Sequence, residues 1–171
     1  SNILLSRFIS TEGAYESSKN IIEKAEEGLY RIVTSTFTLV EVASVISRQY
    51  RRFEGAINIL PEVLVTNLLR RLVRLKSINF LSFTETIRVG TIELPILFLI
   101  ALGIASQTTV RSLDNLHLAT ALLATDLHGL KIDFFVTNDK ELLNKRGRIN
   151  SVIKTTVVSS YEFVAIEGLQ T

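Results

Sequence analysis

Three acidic residues, Glu41, Asp114 and Asp139, stand where the chain could carry out chemistry. Asp139 follows a short β-branched and aromatic run by two residues, Asp114 opens a strongly apolar helical stretch, and Glu41 lies on the polar side of a third segment. Carboxylates that crowd together repel each other, so they are partly protonated unless a cation neutralises them. Oxygen ligands without cysteine suit Mg²⁺ or Mn²⁺ and not zinc. Such ions can activate water and stabilise charge that develops on a phosphate.

Each of the three acids also fits a structural role at the start of a helix. Thr38 and Glu41 have the spacing of a capping box, in which two side chains satisfy the first backbone N–H groups of a helix. Asp114 is a suitable N-cap before its apolar run, and Asp139 suits the positive end of a helix dipole. Capping explains each acid singly, whereas three acids at one edge of a sheet favour a shared function.

Strands alternate with longer helices along the chain. β-Branched and aromatic runs predict strands at residues 31–34, 77–81, 132–137 and 155–158. Apolar periodicity bounded by glycines and polar caps predicts helices at about 12–28, 36–50, 54–75, 84–106, 114–128 and 138–145. This alternation predicts an α/β domain of three layers, with a central parallel sheet of about four or five strands and helices on both faces. Reactive sites in such sheets lie beyond the carboxyl ends of the strands, so residues that directly follow strands are the candidates.

The length and composition indicate one ordinary domain over residues 1–171. The chain is 47% hydrophobic, has two prolines and no cysteine, and contains no repeat or low-complexity linker. Thiol nucleophiles, zinc fingers and disulfide frameworks are therefore excluded. The most apolar stretch, residues 94–105, is too short for a membrane span and predicts a buried helix. No secretory signal pattern opens the sequence, so we expect a cytoplasmic protein that does not bind membranes.

Basic residues are concentrated in one third of the chain. The net charge is only +2, but residues 48–76 hold seven basic residues and two acidic ones. Such a distribution attracts a polyanion to one side of the molecule. Arg70, Arg71 and Arg74 have helical spacing and, with Arg48, could bind phosphate groups. The alternative is that they form the solvated face of a helix.

Four segments resemble the signatures of PIN-domain ribonucleases, a family that includes the VapC-type toxins of toxin–antitoxin systems. The clearest are residues 113–121 (LDNLHLATA) and 135–142 (FVTNDKEL), which are similar to the paired C-terminal signatures of the family. Residues 33–35 (VTS) followed by Glu41 resemble the second segment, a strand and a helix that carries an acidic ligand. Residues 1–5 (SNILL) resemble the end of the opening segment.

The resemblance implies that Glu41, Asp114 and Asp139 hold Mg²⁺ or Mn²⁺ and that Asn2 helps to orient the acidic cluster. In the family the opening strand ends in an aspartate, which would stand immediately before Ser1. The chain has no methionine, so we expect this strand and its aspartate to precede Ser1. The helix-rich middle, residues 51–112, is longer than compact toxins of this kind carry and could have a separate binding role.

The resemblance further implies a metal-dependent endoribonuclease that forms no covalent intermediate and leaves a 5′-phosphate and a 3′-hydroxyl. RNA is the expected partner, and a toxin of this type would also have a small antitoxin protein and commonly forms a homodimer. One alternative is a PIN-like fold that no longer cuts RNA and serves as a binding or assembly module. Another is a flavodoxin-like receiver domain, which needs a reactive aspartate at the end of a central strand and usually has a lysine after a later strand, and no lysine here fits well.

Two histidines and two hydroxyl residues have weaker claims to a functional role. His117 is expected to pack in the core instead of binding metal, and His128 to cap the end of a helix. Ser44 and Thr137 could hydrogen-bond the acids or metal-bound water, and position is the only argument for them.

Overall fold

The computed structural model describes residues 2–6, 13–49 and 59–169, which fall into two compact units. The first unit comprises Ser1–Ile32, Thr38–Phe80 and Ser160–Thr171, and the second comprises Val33–Phe37 and Leu81–Ser159. In chain order, the elements are α1 (Asn2–Ser6), α2 (Tyr15–Glu26), β1 (Ile32–Ser35), α3 (Phe37–Gln49), α4 (Pro61–Val73), β2 (Ile78–Leu81), β3 (Thr86–Val89), β4 (Ile92–Pro95), α5 (Ile96–Thr108), α6 (Ser112–His128), β5 (Phe134–Val136), α7 (Lys140–Asn144), α8 (Arg146–Ile153), β6 (Thr156–Val158) and α9 (Ser160–Ile166). Each unit has a hydrophobic core of its own. The assignment of the whole chain to one domain stays a prediction.

The core of the first unit is formed by aliphatic side chains. On α4, Leu64, Leu68 and Leu72 recur every four residues and are buried, whereas Arg70 and Arg71 are exposed. This spacing gives α4 one apolar face, as in an amphipathic helix. The other buried members of this core are Leu4, Leu5, Ile22, Val42, Ile46 and Ile78. The basic residues of α4 therefore face solvent because its leucines face the core.

The core of the second unit is built mainly from α5 and α6. Ala101 and Ile104 of α5 are buried, as are Leu118 and Leu123 of α6. The other buried members are Phe83, Leu97, Val110, Ala119, Leu142, Ile149, Ile153 and Val157. Because this core includes residues beside the starts of both α6 and α7, it holds the two segments that contain Asp114 and Asp139.

The described strands form three two-stranded sheets. β5 and β6 are parallel. β1 and β2 also pair, and the N–H groups of Ile32 and Thr36 donate to the carbonyl oxygens of Ser77 and Leu81, so both strands advance in the same direction. The α/β class is confirmed, but the described strands do not join into the expected central sheet of about four or five strands. Each has only three or four residues, and no described strand is paired on both edges.

Residues 84–106 contain a hairpin and then a helix, and not the single helix that the sequence predicted. β3 and β4 pair antiparallel around a turn at Gly90, whose φ of +62° favours glycine. Ile87 and Val89 lie on one face of β3 and Arg88 on the other. This alternation of apolar and polar residues is a strand signal, which the helical interpretation overlooked.

The apolar stretch at residues 94–105 covers the end of β4 and most of α5. Its expected burial holds for one side only, because Ala101 and Ile104 are buried whereas Phe98 and Leu102 are exposed. In the described ranges, no single helix is long and apolar enough to cross a membrane. α5 and α6 together meet that requirement by length and composition, as a pair bent by 114°.

The other predicted elements agree with the structure to within a few residues. Strands β1, β2, β5 and β6 and helices α2, α3, α6 and α7 lie at the predicted places. α4 begins at Pro61, and residues 54–58 of its predicted range lie outside the described residues. Helices α1, α8 and α9 were not predicted. They have five, eight and seven residues, which is too short for a clear apolar periodicity.

Candidate functional site

Asp139 caps the start of α7 with its side chain. Its Oδ1 atom accepts hydrogen bonds from the backbone N–H groups of Glu141, at 2.7 Å, and Leu142, at 3.3 Å. Its own N–H donates to Thr137 Oγ1 at 3.1 Å. The predicted capping role is confirmed, and Oδ2 accepts no hydrogen bond from the described residues. Asp139 therefore presents a fixed carboxylate with one oxygen atom left for a ligand.

Asp114 lies in the first turn of α6 and is not the N-cap of that helix. α6 begins at Ser112, and its N-cap is Arg111, whose backbone is extended and whose side chain makes no capping hydrogen bond. The predicted cap is wrong because the helix starts two residues earlier than expected. A carboxylate in the first turn is favoured by the helix dipole, and the Asp114 side chain is half-buried.

A charged link joins the start of α6 to α7, and we use this name for Thr109, Arg111, Glu141 and Lys145. Arg111 Nε lies 3.2 Å from Glu141 Oε2, and Lys145 Nζ lies 2.8 Å from Glu141 Oε1. Lys145 also donates to the Thr109 carbonyl oxygen at 2.7 Å. The link thus connects residues that flank Asp114 on one side and Asp139 on the other.

Both oxygen atoms of the Glu141 carboxylate are engaged by cations. The hydrogen bond from Lys145 is the main reason that the pKa of Glu141 lies below its ordinary value, and the charges of Lys145 and Arg111 lower it further against some desolvation. Glu141 is therefore an ionised structural acid. This distinguishes it from Asp139, which keeps one oxygen atom available.

A buried amide fixes the turn between α5 and α6. Asn115 Nδ2 donates to the Val110 carbonyl oxygen at 3.0 Å, and Thr108 Oγ1 donates to Asn115 Oδ1 at 3.1 Å. The intervening Thr109 adopts a left-handed conformation with a φ of +57°. Since Asn115 is only 3% exposed, these bonds are shielded from water and hold the backbone from which Arg111 extends.

The sequence analysis did not identify the charged link or the role of Asn115. The four-residue spacing of Glu141 and Lys145 on a helix is a visible signal for an ion pair. Arg111 and Glu141 are separated by 29 intervening residues, so no local pattern predicts their contact.

Glu41 lies on α3 in the first unit, whereas Asp114 and Asp139 lie in the second. Its side chain is half-buried, whereas Val42 and Ile46 on the same helix are buried. α3 begins at Phe37, so Thr38 lies inside the first turn and does not cap the helix. The capping box expected for Thr38 and Glu41 is therefore wrong.

Asn2 is the first residue of α1 in the first unit. The strand of the opening segment was expected before Ser1, and the apolar residues that follow Asn2 belong to α1. The proposed orienting role of Asn2 stays a prediction.

The candidate RNA-binding arginines lie in the first unit. Arg70, Arg71 and Arg74 are exposed at the end of α4. Arg48 is exposed near the end of α3, where its Nε donates to the Ser44 carbonyl oxygen at 3.3 Å. Their exposure is compatible with both interpretations, a phosphate-binding surface and a solvated helix face.

The weaker candidates have largely structural surroundings. His117 is half-buried in α6. His128 is the last residue of α6, its ring centre lies 5.4 Å from that of Phe83, and Gly129 forms the C-cap. Thr137 binds the backbone of Asp139 and not its carboxylate, and Ser44 is exposed.

The oxygen donors are of the type that Mg²⁺ and Mn²⁺ prefer, although they do not form a complete metal site. Within the described residues, no group of three or more His, Cys, Asp or Glu side chains is placed to hold a metal ion. Asp114 and Asp139 supply carboxylate oxygens within the second unit, and carboxylates are suitable ligands for hard divalent cations. The donor chemistry therefore fits the expected ion.

Comparison of the chain with models of protein families shows the family to which it belongs. The family model described as PIN domain matches residues 1–148. The chain belongs to the PIN domain family. PIN domains are generally nucleases, and the matched range contains Glu41, Asp114 and Asp139. Comparisons with curated proteins and with solved structures gave no match.

Proposed function

We propose that this PIN domain is a Mg²⁺- or Mn²⁺-dependent endoribonuclease. The main support for the proposal is the charged link, which joins the segments that contain Asp114 and Asp139. The membership of the chain in the PIN domain family is the second support. Asp139 has an oxygen atom available for a ligand, and Asp114 lies at the start of a long helix. We further propose Glu41 as the third carboxylate ligand and Asn2 as a residue that orients the cluster.

The proposed reaction is hydrolysis of an RNA phosphodiester bond. A bound divalent ion supplies activation of a water molecule and stabilisation of charge on the scissile phosphate. Asp139 is suited to hold such an ion because its capping bonds fix the carboxylate in one orientation. The water oxygen forms a bond to phosphorus as the bond to the 3′-oxygen breaks, which leaves a 5′-phosphate and a 3′-hydroxyl.

The exposed arginines of α4, with Arg48, are proposed to bind the RNA backbone. Single-stranded RNA is attracted by basic surfaces through its phosphates, and binding of this kind weakens with salt. Their contribution is positioning and affinity, because phosphate contacts carry no sequence information.

A finer proposal is that the protein is the toxin of a cytoplasmic toxin–antitoxin pair and forms a homodimer. A small antitoxin would then insert an apolar helix or a basic side chain near the acids. Isolation of the native protein without any small partner would count against this proposal.

A catalytically inactive RNA-binding or assembly module is the second candidate function. It is favoured by one observation, the use of Asp139 as a helix cap without a complete group of three ligands among the described residues. Incubation of the full chain with labelled single-stranded RNA, with Mn²⁺, with Mg²⁺ and with EDTA, separates the candidates. A nuclease gives 5′-phosphate products only with metal, whereas the module binds RNA and leaves it intact.

A further inference from the structure

We infer that Arg111 binds a phosphate oxygen of the RNA at the scissile bond and that Glu141 positions it there. This inference rests on the proposed nuclease function. Arg111 is three residues before Asp114, and its partner Glu141 is two residues after Asp139. The guanidinium group therefore extends from one segment with a proposed ligand to the other.

The Nε–H group of the Arg111 guanidinium contacts Glu141, which leaves its terminal N–H groups for another ligand. Of its five N–H groups, the Nε–H faces Glu141 at 3.2 Å, and Glu141 is its ion-pair partner among the described residues. The side chain is 72% exposed, so the terminal nitrogens can reach a ligand in solvent. Arginine offers parallel N–H groups that match the geometry of phosphate oxygens, which a lysine does not.

The ion pair between Arg111 and Glu141 contributes little to the stability of the fold. Pairs this exposed contribute almost nothing to folding, because solvent and salt screen them. Glu141 is nevertheless held on both sides, since Lys145 bonds both to it and to the Thr109 carbonyl oxygen. Such a network orients the arginine and leaves one net positive charge on the link between the segments that contain Asp114 and Asp139.

The charge of this network also suits the substrate. Carboxylates repel an RNA phosphate that approaches the segments of Asp114 and Asp139, and the net positive charge of the link between these segments reduces that repulsion. A preorganised donor aimed at the phosphate stabilises charge that develops there without reorganisation during the reaction. Among the described ion pairs, Arg111 and Lys145 both contact Glu141, and Arg111 is the more exposed of the two, at 72% against 32%.

The first test compares full-length Arg111→Gln, Arg111→Lys and the control Arg148→Gln, an exposed arginine on α8 with the same charge change. Binding of labelled single-stranded RNA is measured by fluorescence anisotropy in EDTA at several salt concentrations. The slope of log K against log salt is negative, and loss of one phosphate contact reduces its magnitude by about 0.7. We expect this loss for Arg111→Gln and not for Arg148→Gln.

The second measurement is RNA cleavage with Mn²⁺ by the same variants. We expect kcat/KM to fall between about 10-fold and 100-fold in Arg111→Gln, with partial recovery in Arg111→Lys. The Kd for Mn²⁺, measured by calorimetry, should stay at the wild-type value, because Arg111 acts on the substrate. A weaker Mn²⁺ affinity would mean that Arg111 only supports the acids and would overturn the inference.

The positioning role of Glu141 is tested by a double-mutant cycle. Glu141→Gln should raise KM, and the double variant with Arg111→Gln should be no worse than Arg111→Gln alone. Additive losses would overturn the positioning role. If the wild type cuts RNA and Arg111→Gln equals Arg148→Gln in cleavage and binding, the inference fails while the nuclease function stands. If the wild type neither binds nor cuts RNA, the nuclease function fails and the inference with it.

Discussion

Asn115 donates a buried hydrogen bond to the Val110 carbonyl oxygen, at 3.0 Å, and thereby closes the turn that precedes α6. Val110 is itself buried in the core of the second unit, so the turn is anchored both by packing and by the amide. Arg111 follows directly, and Asp114 lies one turn later. The position of the proposed site therefore depends on a side chain that takes no part in chemistry.

Replacement of Asn115 by Ala is expected to destabilise the protein by about 2 kcal/mol. The change leaves the Val110 carbonyl oxygen without its donor in a site where the Asn115 side chain is only 3% exposed. Urea unfolding of the full chain measures the loss. Asn144→Ala, on an exposed position of α7, is the matched control and should change stability by less than about 0.5 kcal/mol. Equal effects of the two substitutions would contradict the role given to Asn115.

Two substitutions at Asp139 separate its capping role from its proposed role as a metal ligand. Asp139→Asn keeps an oxygen acceptor for the N–H groups of Glu141 and Leu142, so stability should change by only a few tenths of a kcal/mol. Asp139→Ala removes the cap and should cost about 1 kcal/mol. Thermal and urea unfolding of both variants check this order. A loss in Asp139→Asn as large as in Asp139→Ala would contradict the capping geometry.

The candidate acids of the site could be predicted from local sequence, whereas the long-range contacts that hold their segments together could not. Asp139 as a helix cap follows from its place between a strand and a helix, and the two C-terminal acids share a family signature. Arg111 and Glu141 meet only because the core packs α5, α6 and α7 together, which no local pattern reports. Likewise, β3 and β4 were missed because the apolar residues around Gly90 were assigned to one long helix, although their alternation is that of strands.

Tyr30 is expected to make stability depend on alkaline pH. Its hydroxyl donates to the Ile21 carbonyl oxygen at 2.6 Å. Burial raises the pKa of Tyr30, and the charge of Glu167 raises it further. An unfolded tyrosine ionises near pH 10, so above this pH the unfolded chain loses a proton that the folded protein keeps. The stabilisation is thus complete below pH 10 and declines above it.

Tyr30→Phe isolates this effect. Near pH 7 the variant should be less stable than the wild type by about 1 kcal/mol, because the hydrogen bond is lost. Between pH 10 and pH 11 this difference should shrink. Urea unfolding at each pH measures it, with Tyr15→Phe as the control for removing a tyrosine from α2. A difference that is constant or that grows with pH would contradict the linkage.

The arginines of α4 are expected to carry part of the salt dependence of RNA binding. Replacing Arg70, Arg71 and Arg74 together by Gln should reduce the magnitude of the negative slope of log K against log salt by about 2, if all three contact phosphates of a single strand. Fluorescence anisotropy in EDTA gives the slope. A control with the same change of charge replaces Arg88, Lys131 and Arg148, which are exposed in the second unit. If both triple variants lose the same slope, the α4 arginines form only a solvated face.

The most direct test of the proposed function is the rate at which the wild type and Asp139→Asn cleave labelled single-stranded RNA, measured side by side with Mn²⁺ and with EDTA. We expect cutting by the wild type that requires metal, and a loss of about 100-fold or more in Asp139→Asn, although this variant keeps its helix cap and stays folded. Wild-type cutting that persists in EDTA, or equal rates for the two proteins, would contradict the assignment of Asp139 to a metal-dependent nuclease site.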